Sequence, residues 1–289
     1  MTEPSRPVLR WHGGKWILAP WIIEHFPKHR VYVESFGGAA SVLLRKRPVY
    51  AEVYNDLDDC VVNLFKVLRN PDLSSRLIRL LVETPFARTE FEAAYEISDD
   101  PVEEARRLII RSFMGFGSTG FNRDVGRTGF RATSNRSGTT PAHDWANYPE
   151  GLADVVSRLA GVVIENRDAI EVMLQHDSEE TLHYVDPPYL PETRSVKFRT
   201  TDGRANCYRH ELDGGGHQRL LAALRDLCGM VVLSGYPSPV YDDALPGWRR
   251  VERAALADGA RDRTEVLWIN PRAAERLGQP SLFGLGEVA

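Results

Sequence analysis

A chain of 289 residues with 43% apolar side chains can fill a substantial core, as one large α/β domain or one domain carrying an inserted second. A net charge of −4 excludes a uniformly basic coat, and three widely spaced cysteines, Cys60, Cys207 and Cys228, predict reduced thiols and no bound metal. The apolar stretch at residues 16–23 is broken by Pro20 and flanked by charges, too short for a membrane span; with no signal peptide legible, the expected setting is cytoplasmic.

In chain order, a strand is predicted at residues 31–35 and a helix at 39–47 with Leu43 and Leu44 inward, joined by Phe36-Gly37-Gly38. A second strand at 50–54 ends in Asn55-Asp56, about twenty residues past the glycines, and the next helix carries Val61, Val62, Leu64, Phe65 and Leu68. This reads as a βαβ nucleotide-binding opening. The glycines let a ligand approach the backbone at a helix N-terminus, and the acid after the second strand accepts ribose hydroxyls.

Helical periodicity continues through 73–82 and 102–113, then gives way to a polar segment at 115–148. Gly117-Ser118-Thr119-Gly120, Gly126-Arg127-Thr128-Gly129 and Ser137-Gly138-Thr139-Thr140 punctuate it, as expected of a hairpin or loop that gains order on a partner. Alternation then resumes: strand 162–164, helix 170–175, strand 182–185, helix 216–227, strand 230–235, and two late strands at 248–253 and 264–269. Three βα units of about 30 residues each place a fourth strand roughly 90 residues after the first. Phe36 and Asp186 are farther apart than that by about a small domain, and the surplus falls on residues 60–149.

That surplus is also where charge concentrates. Arg106, Arg107, Arg111, Arg123, Arg127, Arg131 and Arg136 are opposed within 106–136 by Asp124 alone. Arg194, Lys197, Arg199, Arg204 and Arg209 are opposed within 193–210 by Asp202 alone. Such stretches can be solvated faces, but their richness in Gly, Ser, Thr and Asn favours phosphate contact.

The most specific motif is Asp186-Pro187-Pro188-Tyr189, directly after Leu182-His183-Tyr184-Val185. A proline pair cannot continue a strand ladder and fixes φ, so the turn is stiff. The Asp186 carboxylate and the Pro187 carbonyl then aim two acceptors at one point, with Tyr189 as a ring to stack on: a device for holding a planar amino group. The four residues also suit a plain strand-ending turn with a core tyrosine.

Together these motifs resemble the Dam-like, D12-class N6-adenine DNA methyltransferases across most of the chain. Trp11-His12-Gly13-Gly14-Lys15 is similar to that family's N-terminal cofactor motif, Glu34-Ser35-Phe36-Gly37-Gly38-Ala39 to its phenylalanine-glycine motif, Asn55-Asp56 to its ribose-binding acid, and Asp186 to Tyr189 to its catalytic motif. The order of motifs is the family's as well. Two departures stand out: the glycines of the second motif are adjacent rather than separated, and His12 replaces a residue that is often small. The fold implied is a Rossmann-like S-adenosylmethionine-dependent methyltransferase sheet over 1–59 and 150–289, with a mainly helical target-recognition domain at 60–149 carrying a basic hairpin or loop.

The resemblance implies S-adenosylmethionine over Phe36, Gly37 and Gly38, with Asp56 on its ribose, Asp168 near its adenine amino group, and Trp11, Gly14, Lys15, Glu34 and Asp186 completing the site. Asp168 suits a helix N-cap about as well, Gly13-Gly14 a simple turn and Lys15 a surface charge. Asp186, Pro187, Pro188 and Tyr189 would act on an adenine flipped out of double-stranded DNA, by direct displacement and without a metal. Arg111, Arg123, Arg127, Arg131, Arg136, Lys197 and Arg199 would contact the DNA, and a restriction endonuclease is a possible companion. Relatives of this design methylate cytosine N4, an RNA base or a glutamine side chain. A nicotinamide-dependent oxidoreductase stays open as a different class, although the turn after the first strand is not GxGxxG. His217 is expected near the cofactor-side surface, and Glu265 as a late-strand partner for arginine.

Overall fold

The computed structural model describes residues 3–117, 127–132, 138–190, 193, 208–257 and 261–278, the side chains of 256, 257, 261 and 262 excepted. Among them, β1 (Val31–Glu34), β2 (Ala51–Asn55), β3 (Val162–Glu165), β4 (Thr181–Val185), β5 (Met230–Gly235), β6 (Arg249–Ala257) and β7 (Arg261–Ile269) form one sheet, ordered β3-β2-β1-β4-β5-β7-β6. The helices are α1 (Ala19–Glu24), α2 (Ser41–Arg45), α3 (Asp59–Arg69), α4 (Pro71–Glu83), α5 (Arg88–Ala93), α6 (Pro101–Met114), α7 (Pro141–Ala146), α8 (Leu152–Arg158), α9 (Ala169–Gln175), α10 (Gly214–Asp226), α11 (Pro239–Ala244) and α12 (Pro271–Gly278).

Strands β3, β2, β1, β4 and β5 run parallel, and β7 enters antiparallel between β5 and β6. Because successive side chains of a strand face opposite ways, β5 sends Met230 and Val232 into one core cluster and Val231 and Leu233 into another, both fully buried. Helices therefore cover both faces. Each large side chain so buried contributes about 1.5–3 kcal/mol before entropy is subtracted. The chain leaves β1 for β2 and β3 on one side, then returns to β4 on the other. In such a doubly wound sheet, the crevice beyond the C-terminal ends of these two neighbours is where ligands bind.

Residues 60–149 supply α3 to α7, joined to the sheet by a continuous core: Val62 and Phe65 share one cluster with Leu77, Phe91, Leu108 and Ile109 on one side and with Tyr32 and Tyr54 on the other. Beneath α2, the Arg158 guanidinium donates to both Glu52 oxygens at 2.6 and 3.0 Å and to the Leu43 carbonyl at 2.7 Å, while Lys46 Nζ lies 2.7 Å from Glu52. This buried, fully partnered network fixes α8 and α2 to β2.

Three expectations are corrected. The polar segment is not loop throughout: Thr140 caps α7, and Trp145 and Tyr148 bury themselves against Phe113. Arg111 is 1% exposed and donates to the Ala94 carbonyl, so it braces α6 and cannot reach a phosphate. Arg106 and Arg107 are paired with Glu103 at i,i+3 and i,i+4, and Arg106 also with Glu90, so much of the apparent charge excess on α6 is neutralised by acids just upstream.

Candidate active site

β1 and β4 are hydrogen-bonded neighbours, with Glu34 opposite Tyr184, so the segments leaving them emerge side by side. One carries Phe36-Gly37-Gly38, the other Asp186-Pro187-Pro188-Tyr189. Between them opens a solvent-open cleft of about 950 Å³, lined by Trp11 to Lys15, Glu34 to Ala39, Asn55 to Asp58, Asp186 to Pro188 and Tyr208 to Leu212.

Two glycines shape it. A Cβ on Gly37 would lie 2.1 Å from Tyr54 Cε2, and Gly38, at φ +48, would put one 2.6 Å from Trp11 Nε1. Only a bare backbone lets these rings close on the turn. Two residues on, the chain enters the left-handed region again: Ala40 has φ 53, the one positive value at a non-glycine among the described residues. Ala40 offers the helix no side-chain cap; instead Glu34 Oε2 accepts the Leu43 N–H at 2.8 Å and the Tyr32 hydroxyl at 2.6 Å. Burial pushes the Glu34 carboxyl up to about 8 despite those two bonds, with Asp186 nearby adding to the rise.

Asp56 closes the far side. Its Oδ2 accepts the Gly38 N–H at 2.7 Å and its Oδ1 the Asp58 N–H at 2.8 Å, tying the end of β2 to the glycine turn. Burial raises it to about 6, against those two backbone bonds. Asp168, in contrast, is exposed and caps α9 through Ile170 and Glu171; its neighbour Ala169 lines the cleft in its place. The N-cap alternative is what this structure shows for it.

Lys15 is no surface charge. It is 5% exposed, with Nζ 2.9 Å from Asp186 Oδ2, 2.9 Å from the Gly13 carbonyl, 3.6 Å from Glu265 Oε1, and 4.7 Å from the centre of the Tyr189 ring. Burial works to discharge it, but the carboxylates of Asp186 and Glu265 outweigh that and hold its pKa above the ordinary lysine value. Asp186 Oδ1 meets the Ser234 hydroxyl at 3.1 Å, and that hydroxyl lies 3.0 Å from Glu265 Oε1. The Tyr189 hydroxyl donates to Glu265 and lies 3.1 Å from Ser234, while its ring meets Tyr236 edge-on at 4.5 Å.

The partner expected for Glu265 was an arginine; the residues found there are Lys15, Tyr189 and Ser234, because β7 runs antiparallel beside β5 and brings Glu265 to the same sheet end as Ser234. His217 is fully buried and bonds the Tyr241 hydroxyl at 2.9 Å, far from the surface role expected of it. Sequence reasoning missed Tyr54, which closes on Gly37, and the cleft wall at Glu211 and Leu212. No local pattern marks either. An acid inside the apolar run of β7 was the available signal for Glu265.

Of the basic candidates, Arg127 is exposed and lies over Tyr95 at 5.2 Å; Arg131 is half-buried. Between them Phe130 packs on Phe86 and Phe91 and bridges Gly115, and its neighbours Gly129 and Arg131 bond the backbone of Phe116 and Met114, so this stretch is anchored to the helices. Arg123, Arg136, Lys197, Arg199 and the flanking Arg194 and Arg204 lie outside the described residues.

A seven-stranded sheet of this order, with a glycine turn and an Asp-Pro-Pro-Tyr turn on adjacent strands, defines a Rossmann-like methyltransferase domain. A family model of D12 class N6 adenine-specific DNA methyltransferases matches residues 11–215, and the chain belongs to that family. Among similar proteins are the DNA adenine methylase of Escherichia coli strain K12, 26% identical with 68% of this chain and 69% of that protein covered, and the type II methyltransferase M.MjaIII of Methanocaldococcus jannaschii, 26% identical with 67% and 72% covered. The DNA adenine methylase of Haemophilus influenzae is 24% identical, with 67% of each chain covered. The protein is thus an adenine-specific DNA methyltransferase. Among the described residues no helix is long and apolar enough to cross a membrane, and no three His, Cys, Asp or Glu side chains are grouped as metal ligands.

Proposed function

We propose that the cleft binds S-adenosylmethionine and that Asp186, Pro187 and Tyr189 hold a flipped-out adenine of double-stranded DNA for direct methyl transfer to N6. The observation carrying this reading is the pairing of β1 with β4, which places the glycine turn and the acid of the Asp-Pro-Pro-Tyr turn on one cleft. The lining fits the group: bare backbone at Gly37 and Gly38 for close approach, a carboxylate at Asp56 for ribose hydroxyls, Asp186 toward a cation, and Glu34 in the wall. When bound, S-adenosylmethionine supplies a methyl group already activated on a sulfonium, so no metal or covalent enzyme intermediate is required.

The chain's own residues supply orientation. Lys15 and Ser234 each engage one Asp186 oxygen, and each oxygen keeps a second lone pair for an amino N–H. The Pro187 carbonyl provides the companion acceptor. With both N–H bonds accepted, the nitrogen lone pair is drawn out of the ring toward the methyl group, which is stabilisation made mainly in the transition state. Because this face of a base is inaccessible inside a duplex, the adenine must leave the stack. Trp11, Gly14, Lys15 and Phe36 complete the cofactor walls in this reading, and Arg127 and Arg131, with Arg123, Arg136, Lys197 and Arg199 beyond the described residues, contact DNA. The same reading puts the protein in the cytoplasm and makes a restriction endonuclease cutting the same DNA word its proposed companion.

The test is incubation with labelled S-adenosylmethionine and plasmid DNA from a methylation-free host, followed by digestion to nucleosides. N6-Methyladenine is the expected product, lost with Asp186→Ala while cofactor binding survives. Label on cytosine, or activity retained by Asp186→Ala, would refute the assignment.

A further inference from the structure

The buried carboxylate of Glu265 lies on β7, outside every motif used so far, yet it gathers the polar groups of the catalytic turn. The Tyr189 hydroxyl donates to its Oε1, the Ser234 hydroxyl lies 3.0 Å from the same oxygen, and Lys15 Nζ lies 3.6 Å away. Glu265 is 3% exposed. A charged group so placed is costly to bury unless it is fully partnered, and all three partners belong to or touch the Asp-Pro-Pro-Tyr site.

We propose that Glu265 is a positioning residue for methyl transfer: by accepting the Tyr189 hydroxyl, it fixes the plane of the Tyr189 ring. This rests on the assignment of Asp186 and Tyr189 made above. Pro187 and Pro188 stiffen the backbone of the turn, but they leave the Tyr189 side chain free to rotate about its own bonds. Two contacts restrain that rotation: Tyr236 against the ring edge and Glu265 at the hydroxyl tip. Glu265 need not touch substrate or cofactor for this. It acts through the Tyr189 side chain, which does, while Lys15 is shared between Asp186 and Glu265.

The experiment uses the full chain, unmethylated plasmid DNA, and the variants Glu265→Ala, Glu265→Gln, Tyr189→Phe and the Glu265→Ala/Tyr189→Phe double variant. Single-turnover methyl transfer should fall about 10- to 100-fold in Glu265→Ala, with the cofactor dissociation constant and the KM for DNA little changed, since misplacing a reacting group lowers rate more than affinity. Glu265→Gln, which keeps an acceptor oxygen, should recover to within about threefold of wild type. The double variant should be no slower than Tyr189→Phe, because the two changes remove one shared contact.

A second readout needs no turnover. With 3-fluorotyrosine placed at position 189, fluorine NMR follows the phenol through its titration; Glu265→Gln should lower its pKa, with Asp186, Tyr184 and Lys15 still facing it. An unaltered titration, or losses that multiply in the double variant, overturns the inference. Should alanine at this position unfold the chain, the Glu265→Gln and Tyr189→Phe pair carries the same cycle. The two readings separate cleanly: a dead Asp186→Ala with a fully active Glu265→Ala sinks only the positioning role, whereas an active Asp186→Ala sinks the site itself.

Discussion

The Lys15 ammonium lies 2.9 Å from Asp186 Oδ2, so the N-terminal lysine motif and the proline turn at the end of β4 form one ion pair across the cleft. The pair is buried on the lysine side, and a second carboxylate, Glu265, draws on the same charge. Breaking it is therefore expected to cost more than a surface bridge would.

Lys15→Met leaves Asp186 and Glu265 facing one another without a cation. Removing one member of a buried pair typically costs about 3–5 kcal/mol, so the urea midpoint should drop steeply while Arg167→Ala, which breaks an exposed bridge to Glu171, costs less than about 1 kcal/mol. Equal losses in the two variants would show that Lys15 is solvated in solution.

Glu34 makes stability depend on pH in a direction opposite to most acids. Its folded value of about 8 lies above the ordinary 4.5, so the folded protein holds a proton that the unfolded chain has released. Stability from this group is complete below about 4.5 and declines as pH rises toward about 8. Glu34→Gln keeps an oxygen for Leu43 and Tyr32 and removes that decline; Asp56, raised to about 6, leaves a shallower slope over the lower part of the range. Urea unfolding at about pH 5 and about pH 9 checks it: the variant should lose less than wild type between them. Parallel losses would contradict the burial of Glu34.

Gly37→Ala drives a methyl group to 2.1 Å from Tyr54, whose hydroxyl is itself held by the Gly38 carbonyl at 2.7 Å. The ring cannot swing away, so the turn must move, at a cost of about 1–3 kcal/mol and with loss of the cleft's shape. Equilibrium dialysis should show S-adenosylmethionine affinity falling at least tenfold, while Gly214→Ala, which meets open space, changes nothing. Unchanged affinity in Gly37→Ala would remove the glycine turn from the cofactor site.

The elements that position this site were legible because they rest on local chemistry. Phe36-Gly37-Gly38 needs glycine for close approach, and Asp186-Pro187-Pro188-Tyr189 must end a strand; either rule can be read within a few residues. The long helical stretch between β2 and β3 was legible from spacing alone. What the chain order concealed was pairing: that β7 would slide beside β5 and carry Glu265 to Ser234, that Tyr54 would close on Gly37, and that Arg111 would point inward. Charge counting misled on α6 because Glu103 lies just before the window in which the arginines were counted, one helical turn from its partners. Asp168 was legible as an N-cap, since an acid after a strand serves a helix N-terminus as readily as a ligand.

Arg127 and Arg131 flank Phe130, whose ring is fixed on Phe86 and Phe91, so both guanidinium groups are carried on an anchored stretch of backbone. A phosphate contact releases condensed counterions from DNA, and its loss lowers the dependence of log K on log salt by about 0.9 per contact. Arg127→Ala and Arg131→Ala should each weaken binding to any duplex and reduce that slope by about one unit, measured by fluorescence anisotropy across a salt series. Arg106→Ala should lower thermal stability and leave the slope unaltered, because Arg106 is held by Glu103 and Glu90 inside the helical layer. A slope that shifts with Arg106 and not with Arg127 or Arg131 would place the DNA on a different face of these helices.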